Sequence, residues 1–127
     1  IGWADADYPP LLRQIASPPL ALFVDGEPGR LWHPQLAIVG SRAATAGGRD
    51  NARAFARVIA EAGFAITSGL ADGIDAAAHA GALEAADGLT LAVVGTGPDL
   101  AYPAGHARQG RAFGQEACAA KPEPKKK

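Results

Sequence analysis

A chain of 127 residues is long enough for one domain with a buried core and too short for two. Hydrophobic residues make up 48% and charged residues 20%, the balance of a globular chain rather than a disordered one. The formal net charge of -1 excludes a global attraction to nucleic acid or to an anionic membrane, so any basic site must be local. Residues 1–34 carry two basic and four acidic side chains, residues 35–104 four and seven, and residues 105–127 six and two, so the positive excess lies at the end. The single cysteine, Cys118, excludes an internal disulfide and a cysteine-based zinc site and fits a reducing compartment. No apolar run approaches the ~20 residues of a membrane span, and the opening IGWADADYPP lacks the layout of a secretory signal. It opens on Ile1 rather than Met, which reads as a trimmed start. The expectation is a cytoplasmic protein with no membrane contact.

Tyr8 to Ala16 (YPPLLRQIA) reads as a short helix with prolines near its first turn, stopped by Ser17-Pro18-Pro19. Leu20 to Val24 (LALFV) reads as a short strand closed by Asp25-Gly26. Residues 1–34 are thus expected to form a small lobe or extra edge strand packing on the main sheet. Its aromatics Trp3, Tyr8, Phe23 and Trp32 read first as core packing and only second as stacking surfaces for bases.

Three apolar runs then end in small residues: Leu36 to Gly40, Phe64 to Thr67 and Leu89 to Val94. Such runs predict strands buried on both faces, as in a parallel sheet covered by helices. Between the first two lies a helical pattern from about Arg49 to Ala62. Its Phe55, Val58, Ile59 and Ala62 form an apolar stripe suited to covering the sheet, and Arg49, Arg53 and Arg57 form a basic stripe. A second, Ala-rich helix is expected from Asp72 or Gly73 to Ala86, with Asp72 as its N-cap. Strand, helix, strand, helix, strand makes a right-handed βαβαβ half-sheet. After His106 the pattern degrades; Arg108 to Ala120 admits a helix, and Lys121 to Lys127 reads as a flexible basic tail. The division expected is 1–34 for the lobe, 35–120 for a partial Rossmann-like domain and 121–127 for the tail.

The strand ends should share one carboxyl edge, where open α/β sheets bind ligands. Gly40-Ser41-Arg42 is the sharpest signal there, combining a glycine for close backbone approach, a hydroxyl, and a forked cation matched to phosphate oxygens. Ser68-Gly69 and Gly95-Thr96-Gly97 add two more small-residue turns with N–H groups. The sequence GSRAATAGG lacks the dinucleotide G-x-G-x-x-G spacing, and no Walker lysine loop is present. Asp75 and His79 stand four apart and could meet on one helix face. With no nucleophile or metal-ligand set beside them, a structural pair is preferred to a general base. No metal and no cofactor is expected.

Four stretches, YPPLLRQIASPPLALFVDGEP, LAIVGSRAAT, ITSGLADGIDAAAH and LAVVGTGPDLAYP, together resemble the DNA-processing protein A (DprA, also called Smf) family from Tyr8 to Pro103. The resemblance implies an α/β, Rossmann-like, three-layer fold with a mostly parallel sheet, incomplete here on its C-terminal side. It further implies a non-enzymatic single-stranded DNA-binding protein. Such a protein protects incoming DNA and helps load the RecA recombinase in natural transformation and recombination. Carried over by position, Arg42 is the leading phosphate contact, with Gly40, Ser41, Ser68, Gly69, Gly95 and Thr96 around it. The family forms homodimers through a part that follows Pro103, where this sequence departs from the pattern. The rival class is a nucleotide or nucleoside-phosphate enzyme of the lysine-decarboxylase-like (LOG) type, which carries a PGGxGT-type loop where this chain has GTGPDLAYP. An inactive truncated relic is the third reading.

Overall fold

The protein is described by a computed structural model over residues 1–95 and, as backbone, over residues 119–122. Its strands are β1 (Leu22–Asp25), β2 (Gln35–Ala37), β3 (Ala65–Ser68), β4 (Thr90–Val93) and β5 (Ala119–Pro122). Two helices, α1 (Ala46–Glu61) and α2 (Ile74–Glu84), make the crossovers from β2 to β3 and from β3 to β4. The sheet runs in the order β1-β5-β4-β3-β2, parallel throughout except for β1, which pairs antiparallel with β5. No helix among the described residues is long and apolar enough to cross a membrane.

Alternation along the strands divides the core in two. Ile66 of β3 faces the helices and packs with Ala56, Ala60, Ala78, Ala82 and Ala85. Ala65 and Leu91 point the other way and meet Val24, Leu31 and Leu89. One face of the sheet is thereby covered by α1 and α2. The other is covered by the N-terminal segment, whose Leu31 lies in a 3-10 turn at Pro28–Trp32. That segment is tied to the sheet by Ile1, whose backbone nitrogen donates to the Leu22 carbonyl and whose carbonyl accepts from the Leu22 N–H, both at 2.8 Å.

Five local expectations are corrected. The run Leu36 to Gly40 was expected as an inner strand, yet β2 stops at Ala37, is exposed throughout and, among the described strands, stands at one end of the sheet. Its only strand partner among the described residues is β3, and an apolar run does not reveal how many neighbours a strand has. On α1 the buried residues are Ala52, Ala56 and Ala60, whereas Phe55 and Val58 of the expected covering stripe are 65% and 63% exposed. Alanine faces on both helices let α1 and α2 approach closely, so the bulkier side chains are turned aside. Tyr8 to Ala16 yields only a 3-10 turn at Leu12–Gln14, because Tyr8 is buried with its hydroxyl donating to the Pro19 carbonyl at 2.7 Å. The N-cap of α2 is Gly73, not Asp72. Lastly, Ala119 and Ala120, read as the end of a helix, and Lys121 and Pro122, read as tail, form β5. The rest of the expected tail lies outside the described residues.

Candidate nucleic-acid interface

β2, β3 and β4 are parallel, so their carboxyl ends share one edge, as expected. The turn after β2 holds Gly40, Ser41 and Arg42; the turn after β3 holds Gly69 and Leu70 and leads into α2. These two turns are locked together. Ile74 N–H donates to the Ser41 carbonyl at 3.2 Å. Gly73 has φ +79°, and a Cβ there would lie 2.2 Å from the Ser41 oxygen and 2.6 Å from the Arg42 oxygen. A Cβ on Gly40 would stand 2.7 Å from Cγ1 of Ile74. Only hydrogen fits at both places, which is why the two glycines flank the contact.

The hydroxyl and amide groups of this edge are largely spoken for. Ser68 Oγ donates to the Ile38 carbonyl at 2.6 Å, tying the end of β3 to the end of β2. Gly69 N–H donates to Oδ2 of Asp75 at 3.1 Å. Ser41 Oγ accepts from Ala43 N–H at 3.2 Å, shaping its own turn. Leu70, between Gly69 and the helix, has φ +61°, a left-handed conformation that a branched side chain adopts only under constraint. Of the expected site residues, Ser68 and Gly69 therefore build the platform, and Gly40 admits Ile74. Gly95 is exposed at the end of β4. Thr96 and Gly97 lie outside the described residues.

Arg42 differs from its neighbours. It is exposed, and among the described residues no ion pair or hydrogen bond to its guanidinium is present. The basic stripe of α1 is mostly neutralised: Arg53 pairs with Glu84 of α2, and Arg57 with Glu61 at 3.0 Å. In the N-terminal segment Arg30 meets Glu27 at 3.2 Å, and Arg13 lies over the rings of Trp3 and Tyr8 at 5.8 and 5.5 Å. Arg42 and Arg49 are the cations among the described residues that no acidic or aromatic side chain holds.

Asp75 and His79 do share a helix face, but each bonds elsewhere. Asp75 fixes the turn after β3, and its buried Oδ1 has no hydrogen-bond partner among the described residues. His79, wholly buried, meets Oγ1 of Thr90 at 2.7 Å through Nδ1. Thr90 donates its hydroxyl hydrogen to the Ile66 carbonyl at 2.7 Å, so Nδ1 carries the proton in this bond. The pair is a structural feature of the interior, with Thr90 a member that carried no signal in the sequence. No group of three His, Cys, Asp or Glu side chains that could hold a metal occurs among the described residues.

A mostly parallel sheet with crossover helices and a ligand edge free of dinucleotide glycines defines a Rossmann-like α/β protein. The family model described as DNA recombination-mediator protein A matches residues 1–121, and the chain belongs to that family. It is 46% identical over 106 residues to Protein Smf of Escherichia coli, covering 83% of this chain and 28% of that protein. It is 43% identical over 106 residues to DNA processing protein DprA of Streptococcus pneumoniae, covering 82% and 36%. The chain thus spans about a third or less of the first of these curated relatives. Among solved structures it matches DNA processing protein A of S. pneumoniae with a TM-score of 0.90 at 35% identity, covering all of this chain and 44% of that one. It matches DNA processing protein A of Helicobacter pylori with a TM-score of 0.81 at 26% identity, covering 92% and 53%. The H. pylori structure is described as showing a single-stranded DNA binding mode.

Proposed function

We infer that this chain binds the backbone of single-stranded DNA at the carboxyl edge of its sheet, as part of a protein that mediates recombination. The observation that carries this reading is Arg42: an exposed guanidinium with no partner among the described residues, on a turn held by Gly73 and Ile74. A rigid support lowers the entropy lost when an arginine clamps a phosphate, and the planar fork suits two phosphate oxygens. Ser41 stands beside it, with Gly40, Ser68 and Gly69 as the supporting frame and Gly95 at the neighbouring strand end. The single-stranded DNA binding described for the H. pylori relative supports the choice of ligand.

Action alongside RecA in natural transformation, a cytoplasmic location and the absence of catalysis belong to the same proposal and rest on family membership. For catalysis the chain offers His79, which is sealed in the core and engaged with Thr90, out of reach of a substrate. Fluorescence anisotropy with a labelled single-stranded oligonucleotide tests the central claim. Binding that falls in Arg42→Ala while the melting temperature holds is the expected result; equal affinity in the two proteins refutes it.

A further inference from the structure

We propose that Asp75 decides which phosphates this edge accepts. Its carboxylate fills the anion position at the start of α2, so that phosphate monoesters are refused and the phosphodiesters of a continuous strand are taken. The choice between phosphates rests on the DNA reading of this edge, whereas the filled position rests on the geometry of α2 alone.

Where a helix follows a strand of a parallel sheet, its first turn ordinarily attracts phosphate. Free N–H groups point outward there, and the helix dipole favours negative charge. α2 follows β3 in this way and runs for 11 residues. Its start is nevertheless filled from within the chain. Ile74 N–H, the first of the helix, donates to the Ser41 carbonyl. Asp75, the acidic residue of the first turn, closes the approach from β3. Its Oδ2 accepts from Gly69 N–H at 3.1 Å, and the residue is only 6% exposed. A Cβ on Gly69 would lie 2.8 Å from that oxygen and 3.9 Å from the Val93 carbonyl oxygen. The carboxylate thus stands by the ends of β3 and β4, on the amide that a phosphate oxygen would otherwise take.

This occupancy has two chemical effects. The amides of Gly69 and Ile74 are withdrawn from any outside anion. A negative charge is also fixed at the helix start, and it repels an incoming phosphate in proportion to that phosphate's own charge. A phosphate monoester carries about -1.5 to -2 at pH 7, more than the single charge of a diester. Free nucleotides and 5′-phosphorylated ends therefore meet the greater repulsion and find the helix donors taken. A diester needs only the outer contact with the exposed Arg42. A purely structural Asp75 would differ in one respect: its removal would lower stability without creating a response to phosphate.

The full chain and its Asp75→Ala variant are compared in chloride and in inorganic phosphate at equal ionic strength. Losing the carboxylate leaves the Gly69 amide unmatched, so the variant should melt lower in chloride. Phosphate at about tenfold its Kd should raise the variant's melting temperature by about 5 °C and leave the wild type unmoved. A variant that is unfolded in chloride should regain its circular dichroism spectrum when phosphate is added. Asp75→Asn keeps an acceptor on the Gly69 amide and should show no such rescue. The wild type should bind a 5′-phosphorylated oligonucleotide no better than its 5′-hydroxyl counterpart, and Asp75→Ala should bind it about tenfold better. Equal responses to phosphate in wild type and Asp75→Ala, including none in either, overturn the proposal. So does an unfolded variant that phosphate fails to restore. Rescue of Asp75→Asn as large as that of Asp75→Ala puts the anion elsewhere and overturns it too. If the wild type binds neither oligonucleotide, the DNA reading fails, while the phosphate comparison still decides whether Asp75 fills the anion position.

Discussion

The salt dependence of DNA binding tests the assignment of Arg42 more sharply than affinity alone. Each phosphate neutralised on a single strand contributes about -0.7 to the slope of log K against log salt. Arg42 and Arg49 are the described cations that no acidic or aromatic side chain holds; Arg53 and Arg57 are held by Glu84 and Glu61. Two contacts give a slope of about -1.4, so affinity should fall about sevenfold between 50 and 200 mM salt. Arg42→Ala should halve the slope to about -0.7, a fall of about 2.5-fold over the same range. At fixed low salt the substitution should also cost about 1.5 kcal/mol, roughly tenfold in Kd, the lower end for a hydrogen bond to a charged group because Arg42 is exposed. Titrations by anisotropy at four or so salt concentrations give both quantities. Deleting residues 123–127 removes the last three of the six basic residues at this end, Lys125, Lys126 and Lys127, without cutting β5, which ends at Pro122. A slope near -3 that persists in the deleted chain would refute the count of contacts. A slope that Arg42→Ala leaves unaltered would remove Arg42 from the interface.

Further expectations concern the frame. Gly73→Ala would drive a methyl into the Ser41 and Arg42 carbonyls at a positive φ, so it should cost about 3 kcal/mol in urea unfolding and weaken DNA binding as well. A stable variant with full binding would mean that the turns are not locked. Thr90→Val removes the hydroxyl that joins His79 to Ile66 and should lower stability by about 2 kcal/mol while sparing DNA affinity. If binding falls more than stability, the interior pair reaches the site. Tyr8 should ionise above its ordinary value of 10.0, because burial opposes the phenolate more than Arg13 favours it. Folding then holds the proton more tightly than the unfolded chain does, so this contribution is complete below pH 10 and is lost as pH rises through the folded value. Ultraviolet titration against pH should show a late tyrosine that Tyr8→Phe abolishes. Incubation with nucleotides should release no phosphate or base above background, and turnover that vanishes in His79→Ala would establish an enzyme instead.

Much of the architecture could be read along the chain because it is written in local order. The strands at Ala65–Ser68 and Thr90–Val93, the helices between them and the Gly40-Ser41-Arg42 turn all follow from apolar runs, helical spacing and small residues at strand ends. So does the shared carboxyl edge, because right-handed crossovers between parallel strands leave little choice of topology. The four motifs in order were enough for the resemblance to the family in which residues 1–121 fall.

What only the tertiary structure decided depends on partners distant in sequence. Phe55 and Val58 carry a helix-period signal as strong as any core residue, yet they are turned outward, because alanines on α2 let α1 settle on its own alanine face. Arg53 looked as free as Arg42 until Glu84, 31 residues away, was brought beside it. The partner of Asp75 is the Gly69 amide across a turn, not the His79 ring one helical turn along. β2 has the composition of an inner strand and, among the described residues, the position of an edge. Residues 119–122 have the composition of a helix end and tail, and become a strand because they enter between β4 and β1. Periodicity along a chain records which side chains could be buried together. Which of them are buried is set by how closely two surfaces approach, and that distance is a property of both surfaces at once.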